Sequence, residues 1–275
     1  YKNEPQPEYK WIFRGENYRK NHSCKISRAL KSSLDKAFER FDVKGDKRGE
    51  IEKKLVRSFQ RKAHLYSGDK LADRLESLAL LRHYEGPARM LDWSYSFFVA
   101  LYWAVSHAKA NDNLAVWALN NNWLGDKNKD FEDKEVGKTG KYKKITKEEE
   151  PAVKSSIGLK YLQAFSKPFI YAVNPYYLNE RLSIQQGVLL VQGDIKKSWG
   201  ANLKDMIKKE KKSNYSSLLW KIYIKLNIEE LKNVLKNLHH INISQATLFP
   251  DLGGFAKSLI NRIADQRSHC DEESE

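Results

Sequence analysis

The sequence predicts an α+β domain in which flanking helices cover a mixed or antiparallel sheet. Segments with helical spacing of apolar residues come in runs along the chain, and so do segments typical of strands, rather than in strict alternation. No glycine-rich phosphate loop follows a predicted strand, which argues against Walker and Rossmann folds. With 275 residues, of which 41% are hydrophobic, the chain is long enough to bury a large core.

Helices are predicted where apolar residues recur every three or four positions. Ser94 or Ser96 is the expected N-cap of the most apolar one, and Asn227 with Glu230 forms a capping-box pattern before another. The predicted helices cover residues 25–41, 48–66, 69–82, 96–109, a short segment near 155–165, a weakly helical segment 195–213, the segment after Asn227, and 255–266.

Strands are predicted where apolar residues alternate or form short runs: residues 11–13, 114–119, 169–173, 186–191 and 218–226. The last segment alternates most clearly. Trp220, Ile222 and Ile224 fall on one side, with Lys221 and Tyr223 on the other. This pattern predicts a half-buried strand with Trp220 in the core.

One domain is predicted over residues 11–270, between an N-terminal arm at 1–10 and an acidic tail at 271–275. Residues 120–150 are dense in Lys, Asp and Glu and contain few aliphatic residues. We interpret them as a charged surface insertion within the domain.

The net charge of +14 predicts attraction to phosphate, either of nucleic acid or of an anionic cofactor. The excess consists mostly of lysine, which is equally typical of a solvated surface. The two cysteines, Cys24 and Cys270, are too far apart to suggest a disulfide scaffold and favour a reducing, cytoplasmic compartment. No apolar run approaches the roughly 18 residues of a membrane helix, and no clustered His or Cys residues suggest a metal site.

Residues 81–104 are the most informative stretch, because charged and aromatic residues crowd around a Gly-Pro turn directly before the apolar helix. Asp92 could orient an arginine, hold a ribose hydroxyl or act as a base; alternatively it is an ordinary carboxylate near a helix N-terminus. His83 and Tyr84 could contact a heterocycle or be surface residues at a helix end.

Two further segments place polar residues beside a glycine at the edge of a predicted strand. Arg14 could clamp a phosphate or carboxylate next to Gly15, or pair with Asp92 or Glu16. Gln185 and Gln186 are adjacent, so in a strand only one would face a cleft, where it could hydrogen-bond a ligand but not take its proton.

These segments resemble the FRG domain family, named for its Phe/Tyr-Arg-Gly signature. The resemblance rests on Phe13-Arg14-Gly15, on the run from His83 to Ser96 with its Arg-x-Leu-Asp-Trp-Ser core, on Ala100–Ala104, on Arg181-x-x-x-Gln185-Gln186-Gly187, and on Leu248–Leu252. It implies a protein of bacterial or phage-related origin that consists of a single FRG-type domain.

The order of the segments is more remotely similar to ADP-ribosyltransferases, which cleave NAD+ and pass ADP-ribose to a nucleophile. This resemblance implies an ADP-ribosyltransferase-like fold, NAD+ as substrate and no metal. It places Gln185 or Gln186 where a glutamate is expected, and leaves Asp92 or Glu85 to deprotonate the acceptor. The implied NAD+-binding residues are Arg14, Gly15, His83, Tyr84, Arg89, Ser94 and, on the aromatic helix, Tyr102.

The leading hypothesis is therefore an ADP-ribosyltransferase-like enzyme that modifies RNA or DNA, as a bacterial toxin or phage-defence effector with an antitoxin or other neutralising protein as partner. The basic charge motivates the nucleic-acid acceptor, and the three segments motivate the chemistry. The alternatives are a non-catalytic module that binds a nucleotide or nucleic acid, and an NAD+ glycohydrolase with water as acceptor.

Overall fold

The computed structural model describes residues 10–18, 25–67, 74–139, 167–173 and 180–259. Over these residues it confirms the predicted α+β class: six strands form one sheet, all their pairings are antiparallel, and helices pack around it. The strands are β1 (Trp11–Asn17), β2 (Met90–Ser94), β3 (Leu114–Asn120), β4 (Ile170–Val173), β5 (Gly187–Gln192) and β6 (Leu219–Ile224).

The strand order is β4-β5-β2-β1-β3-β6, and the weakest join lies in the middle of the sheet. β1 and β3 are aligned over seven residue pairs, whereas β1 and β2 pair through Phe13 and Ser94. On the other side of β2, five pairs join it to β5. The segments singled out in the sequence therefore meet at β1, β2 and the start of β5.

The helices begin and end close to the predicted positions, with the differences described below. They are α1 (Ile26–Ala29), α2 (Ser33–Arg40), α3 (Gly45–Ser67), α4 (Arg74–His83), α5 (Phe97–Val105), α6 (Asn121–Thr139), α7 (Glu180–Ile184), α8 (Trp199–Ile207), α9 (Ile228–His240), α10 (Gln245–Leu248) and α11 (Leu252–Ser258), with a 3₁₀ helix at Lys212–Ser217.

The helix predicted over 25–41 is divided into α1 and α2. Ser32 lies between them in an extended conformation, where its side chain accepts a hydrogen bond from the Asp35 amide and its own amide donates to the Asp35 carboxylate. This capping box satisfies the first free amides of α2, so a new helix begins where the apolar spacing predicts a continuous one. Local polar bonding overrides the hydrophobic period here.

The first part of the segment interpreted as a surface insertion is helix α6, and it belongs to the core. Leu124 is fully buried. The Asn128 side chain donates to the Ile170 carbonyl (3.0 Å) and accepts from the Ala172 amide (2.8 Å), which fixes β4 against the helix. Asp126, Lys129 and Asp130 are exposed, whereas Leu124 and Asn128 are buried, so over residues 121–131 the charges belong to the solvated side of a helix. Residues 140–166, with the predicted helix near 155–165, lie outside the described residues, as do residues 1–9 of the arm and the acidic tail.

Hydrophobic clusters lie on both sides of the sheet. Ile12, Leu91 and Trp93 pack under α1 and α8, where the Trp93 and Trp199 rings stack with centroids 5.9 Å apart. On the other side, α3 and α4 cover the β4–β5–β2 half, while α5 and α9 cover the β1–β3 half. The space between these two helical groups, above β2, is where the polar segments converge.

Candidate functional site

A cleft opens above β2 between the C-terminal end of α4 and the turn that joins α7 to β5; we call it the central cleft. The space between its walls measures about 340 Å³ and includes open solvent. Its lining combines an apolar side with five polar side chains, and consists of Ala79, Arg82, His83, Asp92, Arg181, Leu182, Gln185 and Leu189.

Asp92 enters the cleft because of strand alternation. Its neighbours Leu91 and Trp93 are buried in the cluster under α8, so Asp92 projects from the opposite side of β2. There Arg82, in the last turn of α4, donates to Asp92 Oδ2 through both Nε (2.9 Å) and Nη2. Of the interpretations that the sequence left open, the structure supports the one in which Asp92 orients an arginine.

The second arginine of the cleft, Arg181, belongs to α7. Its guanidinium carbon lies 4.2 Å from the centroid of the Phe249 ring, and its Nη1 donates to the His83 carbonyl at 3.4 Å. Burial lowers the pKa of Arg181, although Asp92 and Glu85 act against this effect, and an arginine remains charged at neutral pH. The side chain is thus held in place by an aromatic ring while its charge faces the cleft.

The electrostatic balance of the central cleft is positive. Burial opposes the charge of Arg82, but Asp92 and the nearby Glu85 and Glu16 outweigh burial and raise its pKa. The lining therefore holds two charged guanidinium groups and one carboxylate. Such a site attracts an anion, and the planar arginine groups match the geometry of phosphate or carboxylate.

The structure distinguishes the two adjacent glutamines. Gln185 is buried, lines the cleft, and donates from Nε2 to the Leu248 carbonyl (2.9 Å). Gln186 is exposed in the turn before β5 with φ 45°, and its backbone carbonyl accepts from the Tyr95 amide. Gln185 is therefore the glutamine that could contact a ligand in this cleft.

Arg14 reaches the edge of the cleft without lining it. Its Nε donates to Glu16 (2.7 Å), the structural alternative considered from the sequence, and its Nη1 donates to the backbone carbonyl of Asp92 (2.6 Å). Arg14 thus bridges β1 and β2 where the sheet is weakly joined. Arg14 therefore supports Asp92 through the main chain, and its Nε and Nη1 atoms already donate hydrogen bonds within the protein.

Two of the predicted cofactor residues, Gly15 and Ser94, have structural partners that account for them. An added Cβ at Gly15 would lie 1.8 Å from the Ala100 carbonyl, because α5 packs against β1 at this point. Ser94 is fully buried; it donates to the Gln185 carbonyl (2.7 Å) and accepts from the Ser96 amide (2.9 Å). The Ser94 hydroxyl thus holds the turn that positions Gln185.

The structure places Arg89 away from the central cleft, which corrects its assignment as a cofactor residue. Its guanidinium is buried, donates through Nε and Nη2 to the Glu52 carboxylate of α3, and donates through Nη1 to the Gly193 carbonyl (3.1 Å). Arg74 completes this buried group at 2.9 Å from Glu52. Arg89 therefore joins the helical layer to the sheet.

The remaining candidates lie at the margins of the site. Tyr84 and Glu85 are exposed in the turn after α4, where Glu85 has φ 59°. Tyr102 is buried on α5 and donates to Gln245 Oε1 (3.1 Å), and burial raises its pKa to about 12. None of these three residues lines the central cleft.

The comparison with family models assigns the first part of the chain. Residues 9–113 match the model of the FRG domain family. Residues 9–113 are thus similar to an FRG domain. No curated protein and no solved structure matches the chain.

The FRG match contains only part of the cleft. Arg82, His83 and Asp92 lie within residues 9–113, while Arg181 and Gln185 come from beyond it. The segment that contains Arg181 is recognisable in the sequence, but no role was predicted for Arg181 or for Arg82. The usable signal was that Arg181 precedes Gln185 by four residues, one helical turn, so that both can face the same side.

Neither a metal-binding cluster nor a membrane-spanning helix is found among the described residues. Over the described ranges, no group of three or more His, Cys, Asp or Glu side chains is placed to hold a metal ion. Among the helices that the structure describes, none is long and apolar enough to cross a membrane.

The charge of His83 would make the binding of an anion in the central cleft dependent on pH. Burial and the nearby Arg181 lower the pKa of His83 from its ordinary 6.5, although Asp251 and Asp92 act in the opposite direction. The ring is therefore less protonated at neutral pH than an ordinary histidine, and it gains its positive charge as the pH falls. We expect the affinity for ADP-ribose, whose diphosphate does not titrate in this range, to rise about fivefold on acidification.

Isothermal titration of ADP-ribose between pH 7.5 and 5.5 measures this rise, and the variant His83→Gln should abolish it. The matched control is His107→Gln, which alters a histidine outside the cleft lining. A rise of equal size in the His83→Gln variant would contradict the prediction.

Proposed function

We propose that the central cleft binds NAD+ and that the protein is an ADP-ribosyltransferase-like enzyme with nucleic acid as acceptor. The observation that carries the proposal is the convergence of three distant segments: Asp92 and Gln185 line one cleft, and Arg14 bonds to the backbone of Asp92. The positive lining suits the diphosphate of NAD+, and the basic chain suits a polyanionic acceptor.

The residues allow a division of roles. Arg181 and Arg82 would bind the diphosphate, and the Gln185 side chain would hydrogen-bond a ribose hydroxyl or the nicotinamide amide. In the transfer, the bond between ribose C1′ and the nicotinamide nitrogen breaks and nicotinamide leaves with the electron pair. A nucleophilic oxygen or nitrogen of the acceptor then bonds to C1′ and loses its proton to water or a carboxylate. Positioning and charge placement supply the rate in this scheme.

A second function, nucleotide binding without catalysis, is favoured by the bonding of the groups that would serve as bases. Asp92 accepts two bonds from Arg82, and Ser94 is hydrogen-bonded on both sides. Gln185 cannot take a proton. A carboxylate that is held by an arginine orients that arginine better than it activates an acceptor.

Labelled NAD+ incubated with the full chain and separate RNA, DNA and protein substrates tests the proposal. Label on RNA or DNA with release of nicotinamide supports it. Free ADP-ribose as sole product would instead identify an NAD+ glycohydrolase, and saturable NAD+ binding without nicotinamide release would identify the non-catalytic module. If the protein neither binds NAD+ nor releases nicotinamide, both functions are overturned.

The variant Arg181→Gln should weaken NAD+ binding by about 10- to 100-fold, because it removes a charge-assisted contact to phosphate while keeping a polar side chain over Phe249. Arg40→Gln is the matched control, since Arg40 also lies over a phenylalanine ring, that of Phe41, but is exposed and outside the cleft lining. Equal affinities of the two variants, measured by isothermal titration, would show that Arg181 does not bind the nucleotide.

A further inference from the structure

The edge strand β6 presents exposed aromatic residues on both of its sides. Trp220 is 54% exposed and Tyr223 is 57% exposed, and Ile222 is also exposed between them. The predicted burial of Trp220 in the core is therefore wrong. β6 is the last strand of the sheet over the described residues, and the helices that cover β3 do not extend over Trp220.

Tyr223 belongs to an organised cluster rather than to a mobile surface. The Lys221 ammonium lies 4.6 Å from the Tyr223 ring centroid, 4.5 Å from that of Tyr18 and 5.0 Å from that of Trp117. Trp117 is buried and donates to the Tyr18 hydroxyl at 2.6 Å. The cluster thus has a fixed base in β3, with an exposed ring and a cation at its outer side.

The segment that leads into β6 is strongly basic. Between residues 204 and 225 the chain carries seven lysines but only two acidic residues, Asp205 and Glu210. These two pair with lysines from outside that segment, Lys197 and Lys127. Neither acidic residue of this segment therefore pairs with one of its lysines in these two ion pairs, and the lysines that precede the 3₁₀ helix are exposed.

We propose that β6, with its exposed rings Trp220 and Tyr223 and the lysines Lys221 and Lys225, forms a binding surface for single-stranded nucleic acid. Tyr18 and Trp117 are the base that holds Lys221 and Tyr223 in place. The inference deepens the proposed function and rests on it for the acceptor class, but the contacts that argue for it lie apart from the central cleft lining. Bases stack on exposed aromatic rings, and lysines beside the rings bind phosphates. A double helix offers only its outer phosphates, because its bases are stacked internally and cannot reach Tyr223 or Trp220.

A second copy of the chain is the other partner that an open strand edge could accept. The lysines argue against it. An antiparallel pairing of β6 with itself would bring Lys221 and Lys225 of both copies onto one ribbon, where like charges oppose association. The same lysines are complementary to a polyanion.

Binding of fluorescent 20-nucleotide oligo(U) and oligo(dT) to the full chain, followed by anisotropy without NAD+, tests the surface. We expect Tyr223→Ala and Trp220→Ala each to weaken binding by about 5- to 100-fold. Tyr66→Ala is the matched control, because Tyr66 is an exposed tyrosine on α3. This variant should bind the oligonucleotides as tightly as the unchanged protein does. Lys225→Gln should reduce the log–log salt slope by about 0.7, the value for one phosphate of a single strand.

Unchanged affinity in both aromatic variants, tighter binding of duplex than of single strands, or a dimer that the Trp220→Ala change dissociates would each overturn the proposal. A difference between oligo(U) and oligo(dT) would support it and identify the preferred sugar. Because the binding assay contains no NAD+, its result is independent of the transfer reaction, which is measured with labelled NAD+. If binding depends on the aromatic residues but no ADP-ribose is transferred, only the proposed enzyme is refuted. If the Tyr223→Ala and Trp220→Ala variants transfer ADP-ribose at the unchanged rate, only this surface is refuted.

Discussion

Replacing Gly15 with alanine is expected to destabilise the protein by about 3 kcal/mol or more. The added Cβ would lie 1.8 Å from the Ala100 carbonyl oxygen and 2.7 Å from the Ala104 amide nitrogen. Both are backbone atoms of α5, so the contact cannot be relieved by a side-chain rotation, and the helix must move away from β1. Urea unfolding monitored by circular dichroism gives the change in the free energy of unfolding.

Gly125→Ala is the matched control for this substitution. Gly125 lies within α6, and no atom outside its chain neighbours and the nearby backbone of that helix lies within 4 Å of the position that its Cβ would take. Alanine is the better residue in a helix interior, so this variant should be as stable as the unchanged protein or more stable by about 0.5–1 kcal/mol. If Gly15→Ala unfolds at the same urea concentration as the unchanged protein, the close packing of α5 on β1 is wrong.

The expected effect of Gly15→Ala changes how the Phe-Arg-Gly segment is understood. The glycine was expected to let a ligand approach the backbone, and the space concerned is filled by α5. α5 carries Tyr102, which bonds to Gln245 three residues before Leu248, and the Leu248 carbonyl in turn accepts from Gln185. Contacts of α5 thus connect the close packing at Gly15 with Gln185 in the central cleft.

The elements of this fold that could be predicted are those specified by local periodicity. β3 and β5 were recognised within a residue or two because nearly every residue in them is apolar, and α9 because Asn227 and Glu230 form its capping box. Where a boundary depends on a polar side chain within the segment, as at Ser32, the period alone gave the wrong length. Burial on β6 was misjudged for a different reason, since strand order decides which strand is at the edge.

The site was predictable as a set of segments but not as a set of contacts. Asp92 and Gln185 were named from the sequence and lie in one cleft. The partners of the arginines could not be deduced, because Arg89 pairs with a glutamate 37 residues earlier and Arg181 bonds to a carbonyl 98 residues away. Such pairs depend on how α3, α4 and α7 pack on the sheet, and no spacing rule within one segment encodes that packing.

Replacing Glu52 with glutamine is expected to cost about 3–5 kcal/mol of stability, the second large effect. The Glu52 and Arg89 side chains are 1% and 3% exposed, and Arg74 shares the same carboxylate. Removal of the one negative charge leaves two guanidinium groups with little access to water and without the carboxylate that neutralises them. Glutamine preserves the shape of the side chain, so the loss reports the charge rather than a cavity.

Glu39→Gln provides the comparison for Glu52→Gln, because Glu39 pairs with Lys31 at a partly exposed position. It should change the free energy of unfolding by less than about 1 kcal/mol. Equal effects of the two variants in urea unfolding would contradict the buried ion pair.

Urea unfolding and NAD+ binding of an Arg89 variant distinguish a structural role of Arg89 from the cofactor role expected for it. Arg89→Met should lower stability, because it leaves Glu52 with one partner fewer in a buried site. Its affinity for NAD+, measured at a temperature where the variant is folded, should nevertheless equal that of the unchanged protein, since the Arg89 guanidinium lies outside the cleft lining. A variant of unchanged stability that no longer binds NAD+ would return Arg89 to the ligand site, and the position of the central cleft would then be wrong.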